Sequence, residues 1–223
     1  MKICVIIPVY NESKAIGPLV VSLKRKNLSV VVVDDGSMDG AGEIAKEKGA
    51  TVIRHETKHG KGFALQTGFQ FALSNHFDGV ITLDGDGQHD IDDIDPFLEY
   101  ARKKEADLII GNRMGNPKDM PLLRYLTNCF MSFLISLSCG RGIPDTQCGY
   151  RYISDEVLKS ISFHSRDYEI ESEILMKACK KNFRVMSIPI HSIYRNEESH
   201  IHPFKDTVRF FSYYFRELFS SKN

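Results

Sequence analysis

Along the first half of the chain, short runs of consecutive apolar residues alternate with stretches whose apolar positions recur at helical spacing. The runs "KICVII", "SVVVVDD", "TVIRH", "GVITL" and "ADLIIG" are short and rich in β-branched residues, as buried strands are. Between them, residues 12–26 place Ile16, Leu19, Val20 and Leu23 on one helical face. "DGAGEIAKEKG" reads as a helix closed by Gly49. Residues 60–75 space Phe63, Ala64, Thr67, Phe71 and Ala72 as a helix, and residues 92–104 form another. Alternation at this spacing predicts an α/β fold: a mostly parallel sheet with helices on both faces.

The second half changes character. "MPLLRYLTNCFMSFLISLSCG" is apolar but interrupted by Arg124, Asn128 and serines, which argues against a spanning helix of about 20 apolar residues. "CGYRYIS" reads as a strand, residues 169–181 as a helix, "RVMSIPIHSIY" as strand-like and "PFKDTVRFFSYYFRELFSSKN" as a helix. In that last segment Phe204, Val208, Phe211, Phe215 and Leu218 fall on one face, with Lys205, Arg209 and Arg216 beside it and Lys222 beyond. Such a face suits a lipid–water boundary; packing on the sheet or in a homodimer is the alternative. With no repeat, low-complexity tract or linker, the pattern predicts one domain carrying a C-terminal helical extension.

Composition narrows the class. Lys+Arg and Asp+Glu both number 29, so the net charge is zero, which argues against a nucleic-acid or other general polyanion binder. The five cysteines fit neither a zinc signature nor a disulfide ladder and read as reduced thiols of a cytoplasmic protein. The start "MKICVIIPVY" lacks the long apolar region and cleavage site of a leader.

Chemistry concentrates at the ends of the strand runs, where open α/β sheets bind ligands. The first offers "PVYNE", the second "DDGS" and the fourth "DGDGQH". Asp84 and Asp86 straddle one residue, so both carboxylates can face one point. They repel unless a cation sits between them, and hard oxygen ligands suit Mg2+ or Mn2+. Gln88 can add a neutral oxygen, and Gly85 and Gly87 let the backbone approach a ligand closely. A plain Asp-Gly turn is the rival reading. An EF-hand loop fails, because its sixth and twelfth positions hold His89 and Asp95. His89 reads as a hydrogen-bonding neighbour and His59 as a loop residue. The Gly-Lys-Gly around Lys61 lacks P-loop spacing, leaving a modest role in holding phosphates. No Gly-x-Gly-x-x-Gly follows the first strand, which counts against a dinucleotide fold.

In order and spacing, "IIPVYNE", "VVVDDGSMDG", "KGFALQTGF", "LDGDGQHD" and "GNR" resemble the family 2 inverting glycosyltransferases of GT-A fold, and within them the dolichol- and polyprenol-phosphate sugar synthases. "DTQCGYR" resembles their Asp-x-x-Ser-Gly-Phe-Arg element. The resemblance implies a glycosyltransferase domain over residues 1–202, followed by an amphipathic helix over 203–223. By motif position it implies that Pro8, Tyr10 and Glu12 hold the nucleoside, with Val33 and Asp35 at the base and ribose. Asp84, Gly85 and Asp86 would meet the diphosphate and its metal, with Gln88 completing the metal site. Arg113 would face the phosphates or the acceptor, with Arg151 nearby. The alternative for Arg151 is an ion pair with Asp145 that braces a turn. Two positions depart from the pattern. Cys148 replaces a Ser, and a late Arg and Lys pair falls near Tyr194 and His200, with Arg195 one residue away.

The implied reaction is metal-dependent transfer, with inversion, from a GDP- or UDP-linked sugar. The arginines favour a polyprenyl or dolichyl phosphate acceptor, which arrives ionised and needs cations rather than a base. A saccharide hydroxyl would need a carboxylate base, for which Asp145 is the best candidate. A sugar nucleotidyltransferase ranks lower for want of a basic Gly-rich loop, and a non-catalytic nucleotide-sugar-binding module stays open. A lipid acceptor implies peripheral contact with the inner face of the membrane.

Overall fold

The computed structural model describes residues 1–117, 120–191 and 203–219. The five runs of the first half become β1 (Ile3–Val9), β2 (Ser29–Asp34), β3 (Thr51–Arg54), β4 (Gly79–Thr82) and β5 (Leu108–Asn112). Between them lie α1 (Ser13–Arg25), α2 (Ala41–Glu47), α3 (Lys61–Ser74) and α4 (Ile94–Lys103), the last led in by a 3-10 turn, Ile91–Asp93. The second half adds α5 (Leu122–Cys139), β6 (Arg151–Ser154), α6 (Asp155–Ser160), α7 (Ile170–Lys180), β7 (Val185–Pro189) and α8 (Pro203–Phe219).

All seven strands join one sheet in the order β3-β2-β1-β4-β6-β5-β7. The expected parallel core is there: β1 pairs parallel with β2 and β4, β2 with β3, and β5 with β7. β1 and β2 are buried nearly end to end, which their unbroken apolar runs require of strands covered on both faces. β6 is the exception. It runs antiparallel between β4 and β5, pairing Thr82 with Arg151 and Ile110 with Arg151. Its first residues therefore lie at the edge where β4 and β5 end. Periodicity did not reveal this reversal, nor α6, which is too short to show a repeat and is capped by Ser154 Oγ accepting from Val157 N.

The apolar segment before β6 is α5, 18 residues long. Length and composition would let it cross a membrane, yet Asn128, Met131, Ser132 and Ile135 are buried on the domain. Leu122, Leu123, Leu126, Phe130, Phe133 and Leu137 remain exposed along it. α8 lies alongside, burying Phe210, Tyr213 and Tyr214, with the Ser138 hydroxyl 2.9 Å from the Tyr214 hydroxyl and Lys180 paired to Glu217. The face singled out from its periodicity points the other way: Val208, Phe215 and Leu218 are exposed. The boundary expected after His202 lies outside the described residues.

Arg151 opens β6 and is 1% exposed. Its guanidinium donates to the carbonyls of Thr146 (2.7 Å), Cys148 (2.8 Å) and, on α7, Glu171 (2.6 Å). One side chain thus fastens the turn before β6 to the helix behind it. Arg151→Met strands those buried carbonyls and should cost at least about 3 kcal/mol in urea unfolding. Arg151→Lys should recover little, because one ammonium cannot span the fork. A loss below about 1 kcal/mol for Arg151→Met would show that the carbonyls find other partners.

Candidate active site

The carboxyl edge of the sheet gathers the tips of β1, β2, β4 and β5 and the turn that precedes β6. The β1 and β2 tips lock together: Asn11 N donates to Ser37 Oγ (3.0 Å) and Met38 N to Asn11 Oδ1 (2.9 Å). Pro8 and Tyr10 are half-buried there, with Glu12 opening the following helix. Val33 lies beside Pro8 in register, its side chain fully buried. Lys58 lies over the Tyr10 ring at 3.7 Å.

Asp35 is buried and its carboxylate is committed. It accepts from His59 N (2.9 Å) and Gly60 N (2.7 Å) and faces His55 Nδ1 at 2.8 Å. Asp35 therefore fixes the loop that leads into α3, whose first residue is Lys61. The Lys61 ammonium reaches across to the β4 tip, 2.5 Å from Asp84 Oδ1, and lies 2.7 Å from Glu171 Oε1 on α7. His89 Nε2 sits 3.4 Å from Asp84 Oδ2, the neighbour its sequence position suggested.

Two glycines permit this packing. A Cβ on Gly85 would meet Val9 Cγ2 at 2.6 Å, and one on Gly149 would meet the Asp84 carboxylate at 2.7 Å. The turn before β6 thus presses against the Asp-Gly-Asp turn after β4, and Thr82 Oγ1 donates to Gly149 O (2.7 Å).

Electrostatics separate the two carboxylates. Burial opposes ionisation of Asp84, but the Lys61 charge outweighs it and, with His89, holds that carboxyl far below the usual range. Burial and the charge on Asp84 push Asp86 up, against smaller opposing effects of His89 and Lys61, while its Oδ1 accepts from Gln88 N (2.9 Å). Burial would discharge Lys61, yet the Asp84 and Glu171 charges hold its pKa above normal. A half-buried carboxylate pair that has drawn an ammonium onto one of its members is a seat for cations, so the residues fit Mg2+ or Mn2+. Among the described residues no three His, Cys, Asp or Glu side chains cluster to enclose a metal. The fit is therefore to a cation that takes its remaining ligands from water and substrate phosphates.

Beside this lies a second ion pair. Arg113 donates through Nε to Asp145 Oδ2 (2.7 Å), through a terminal nitrogen to Oδ1 (3.0 Å), and through its backbone N–H to Oδ2 (3.1 Å). So Arg113, rather than Arg151, is the partner of Asp145. Cys148 is fully buried, and burial pushes its thiol up to about 12. Tyr194, Arg195 and His200 lie outside the described residues. Glu171 went unnoticed in the sequence; the signal was a run of three alternate glutamates opening an apolar helix, "EIESE", of which Glu171 and Glu173 are buried.

A model of the family described as "Glycosyl transferase family 2" matches residues 4–162. The chain is 34% identical over 215 residues to UDP-N-acetylglucosamine–dolichyl-phosphate N-acetylglucosaminyltransferase of Methanococcus voltae, covering 86% of each chain. It is 29% identical over 209 residues to undecaprenyl-phosphate mannosyltransferase of Micrococcus luteus, covering 87% of this chain and 85% of that one. Its fold is that of the GT-A enzyme glucosyl-3-phosphoglycerate synthase of Mycobacterium tuberculosis, solved with Mn2+, UDP and phosphoglyceric acid. That match has a TM-score of 0.73 at 20% identity and covers 98% of this chain and 78% of that one.

The Arg113–Asp145 pair has a pH signature. Burial would raise the Asp145 carboxyl, but Arg113 holds it below its ordinary 3.8. A folded-state pKa below the unfolded one gives stability that is full above the unfolded value and lost as pH falls through the folded one. Asp145→Asn should cost about 3–5 kcal/mol near neutrality by removing the buried carboxylate charge that Arg113 meets. It should also flatten the fall in stability between about pH 5 and pH 2. Thermal unfolding across that range reads both; parallel acid limbs in the two proteins would refute the pairing.

Proposed function

Because the chain belongs to glycosyl transferase family 2, we propose that it transfers a sugar, with inversion, from a GDP- or UDP-linked donor to a polyprenyl phosphate. The observation that carries this reading is the charge layout at the β4 tip: Asp84 and Asp86, with Lys61 beside the first of them. Asp84, Asp86 and Gln88 would hold Mg2+ or Mn2+. Bound there, the cation supplies charge for the diphosphate leaving group. Pro8, Tyr10 and Glu12 receive the nucleoside, the buried Val33 backs Pro8 from the neighbouring strand, and Asp35 holds the loop that shapes that pocket. Gly85 allows the diphosphate close approach.

The acceptor assignment follows from what Asp145 is doing. A saccharide hydroxyl needs a base in reach, and Asp145 is engaged by Arg113 through both oxygens. A phosphate monoester arrives ionised and needs cations to bring it beside a second anion. Arg113 is the cation proposed to do so, with Arg151 acting as a positioning residue through the turn it braces. The names of the two dolichyl- and undecaprenyl-phosphate relatives support the same acceptor class.

Such an acceptor brings the enzyme to a bilayer. The exposed row of α5 and the exposed Val208, Phe215 and Leu218 of α8 lie on adjacent helices, with Phe130 and Phe211 rings 6.3 Å apart at the seam. Arg141, just past the end of α5, and Arg216 on α8 are exposed. The surface suits peripheral seating on an anionic leaflet, apolar side chains at the acyl boundary and arginines at the headgroups.

Incubation with UDP-, GDP- and TDP-sugars, Mn2+ and a short polyprenyl phosphate should yield a sugar-lipid and a nucleoside diphosphate. Asp86→Ala should lower that rate at least about a hundredfold with unchanged circular dichroism. Full transfer by Asp86→Ala in EDTA would end the metal assignment; release of pyrophosphate from an NTP would redirect the reading to nucleotidyl transfer.

The membrane assignment has its own measurement. Phe133→Asp with Phe215→Asp should reduce sedimentation with phosphatidylserine vesicles at least about fivefold and leave nucleotide binding intact. Binding of the parent protein should weaken with salt. Equal sedimentation of both proteins would remove these helices from the membrane.

A further inference from the structure

Lys61 is a costly residue to bury, at 17% side-chain exposure, and its backbone is pinned. Gly60 N is held by Asp35, Phe63 N donates to Arg166 O (3.1 Å), and the Gln66 side-chain amide donates to Ser165 O (2.7 Å). Only the flexible side chain is left to move. It ends between two carboxylates, 2.5 Å from Asp84 and 2.7 Å from Glu171.

We propose that Lys61 is a resident counter-cation that occupies the cation seat on Asp84 and withdraws onto Glu171 when a divalent cation enters. This rests on the reading that Asp84 and Asp86 receive such a cation. Three observations carry it. First, the ammonium stands against Asp84 Oδ1 at the distance of a direct ionic contact, so a second cation cannot take that oxygen while it stays. Second, Glu171 has room to take the ammonium over. It is 4% exposed, and its Oε2 has no partner among the described residues. Lys61 Nζ already stands 2.7 Å from its Oε1, so the ammonium bridges the two carboxylates and has only to let go of Asp84. Its backbone is fixed by Arg151, so the second seat stays in place. Third, the charges balance in both arrangements. Lys61 and Glu171 sum to zero wherever the ammonium sits, and withdrawal frees the two charges of Asp84 and Asp86 for one divalent ion.

The device keeps the β4 carboxylates compensated when no metal is present, since an uncompensated buried charge is strongly destabilising. It also makes metal entry depend on moving a side chain. Mn2+ binding, read from the EPR signal of the free ion without any sugar donor, tests it apart from catalysis. The double variant K61M/E171Q leaves the summed charge of the pair at zero but empties the seat. It should bind Mn2+ at least about fivefold tighter than the parent. E171Q alone keeps the ammonium and removes its retreat, and should bind Mn2+ at least about fivefold more weakly. Double-variant affinity equal to or below that of the parent would overturn the proposal. So would E171Q affinity equal to the parent's, and that variant keeps a Lys61–Asp84 pair that guards against a folding failure. Mn2+ binding to none of the proteins, even with UDP or GDP added, would instead bring down the metal reading on which the proposal stands.

Discussion

The reversal of one strand governs what the sheet edge can hold. β6 runs antiparallel between β4 and β5, so it begins where its neighbours end. An all-parallel sheet would carry the turn that precedes β6 to the opposite edge, far from the Asp-Gly-Asp turn. Here Gly149 lies against the Asp84 carboxylate, Asp145 meets Arg113 at the β5 tip, and Arg151 reaches back to α7. Residues more than 60 apart in sequence, such as Thr82 and Gly149 (separation 67), become direct partners. The second half of the chain thereby supplies one wall of a site whose other wall is an ordinary parallel α/β edge.

Two arginines at this edge illustrate how burial assigns work. Arg113 meets a carboxylate through a fork of parallel donors, the arrangement a guanidinium is shaped for. Arg151 meets carbonyls only; their partial charges cannot neutralise it, and burial lowers its pKa while nearby Glu171, Cys148 and Asp145 oppose that. One therefore holds a buried ion pair at the β5 tip and the other holds the backbone of the turn before β6. Asp35 works in the same way as Arg151 with the sign reversed, a buried anion spent on backbone N–H groups. Both fix loops, and the loops present the residues that can meet a ligand.

Much of this was legible in the sequence, for identifiable reasons. The parallel strands announce themselves because burial on both faces demands unbroken β-branched runs, as in "VVVVD". Asp84 and Asp86 stood out because two carboxylates at the end of such a run repel unless a cation lies between them. The apolar face of α8 was found from its spacing, though spacing cannot tell which face a helix turns inward; the protein buries Phe210, Tyr213 and Tyr214 instead. The direction of β6 was hidden because four residues carry no sign of polarity. Glu171 was hidden for another reason. Its meaning depends on Lys61, 110 residues earlier by number, and no local pattern pairs an exposed-looking glutamate with a lone lysine at a helix start. Three-dimensional charge pairing is the least local property of a fold and the last to be read from a line of residues.

The consequence for binding is one of exchange rather than filling. Lys61 stands against Asp84 and Glu171, and Arg113 against Asp145, before any ligand arrives. Lys61 and Arg113 thus each have an internal partner, Asp84 has an internal cation, and Asp86 has a raised pKa. Pre-pairing avoids the penalty of isolated buried charge. Its cost is that a ligand gains only the difference between its own contact and the one it displaces. An anion that brought a metal with it would answer both sides at once, the metal standing in for Lys61 on Asp84 and the anion for a carboxylate on a cation. A neutral ligand, or a metal alone, replaces only one side. Charge pairing inside the site therefore favours ligands that carry both signs, as a metal-bound diphosphate does.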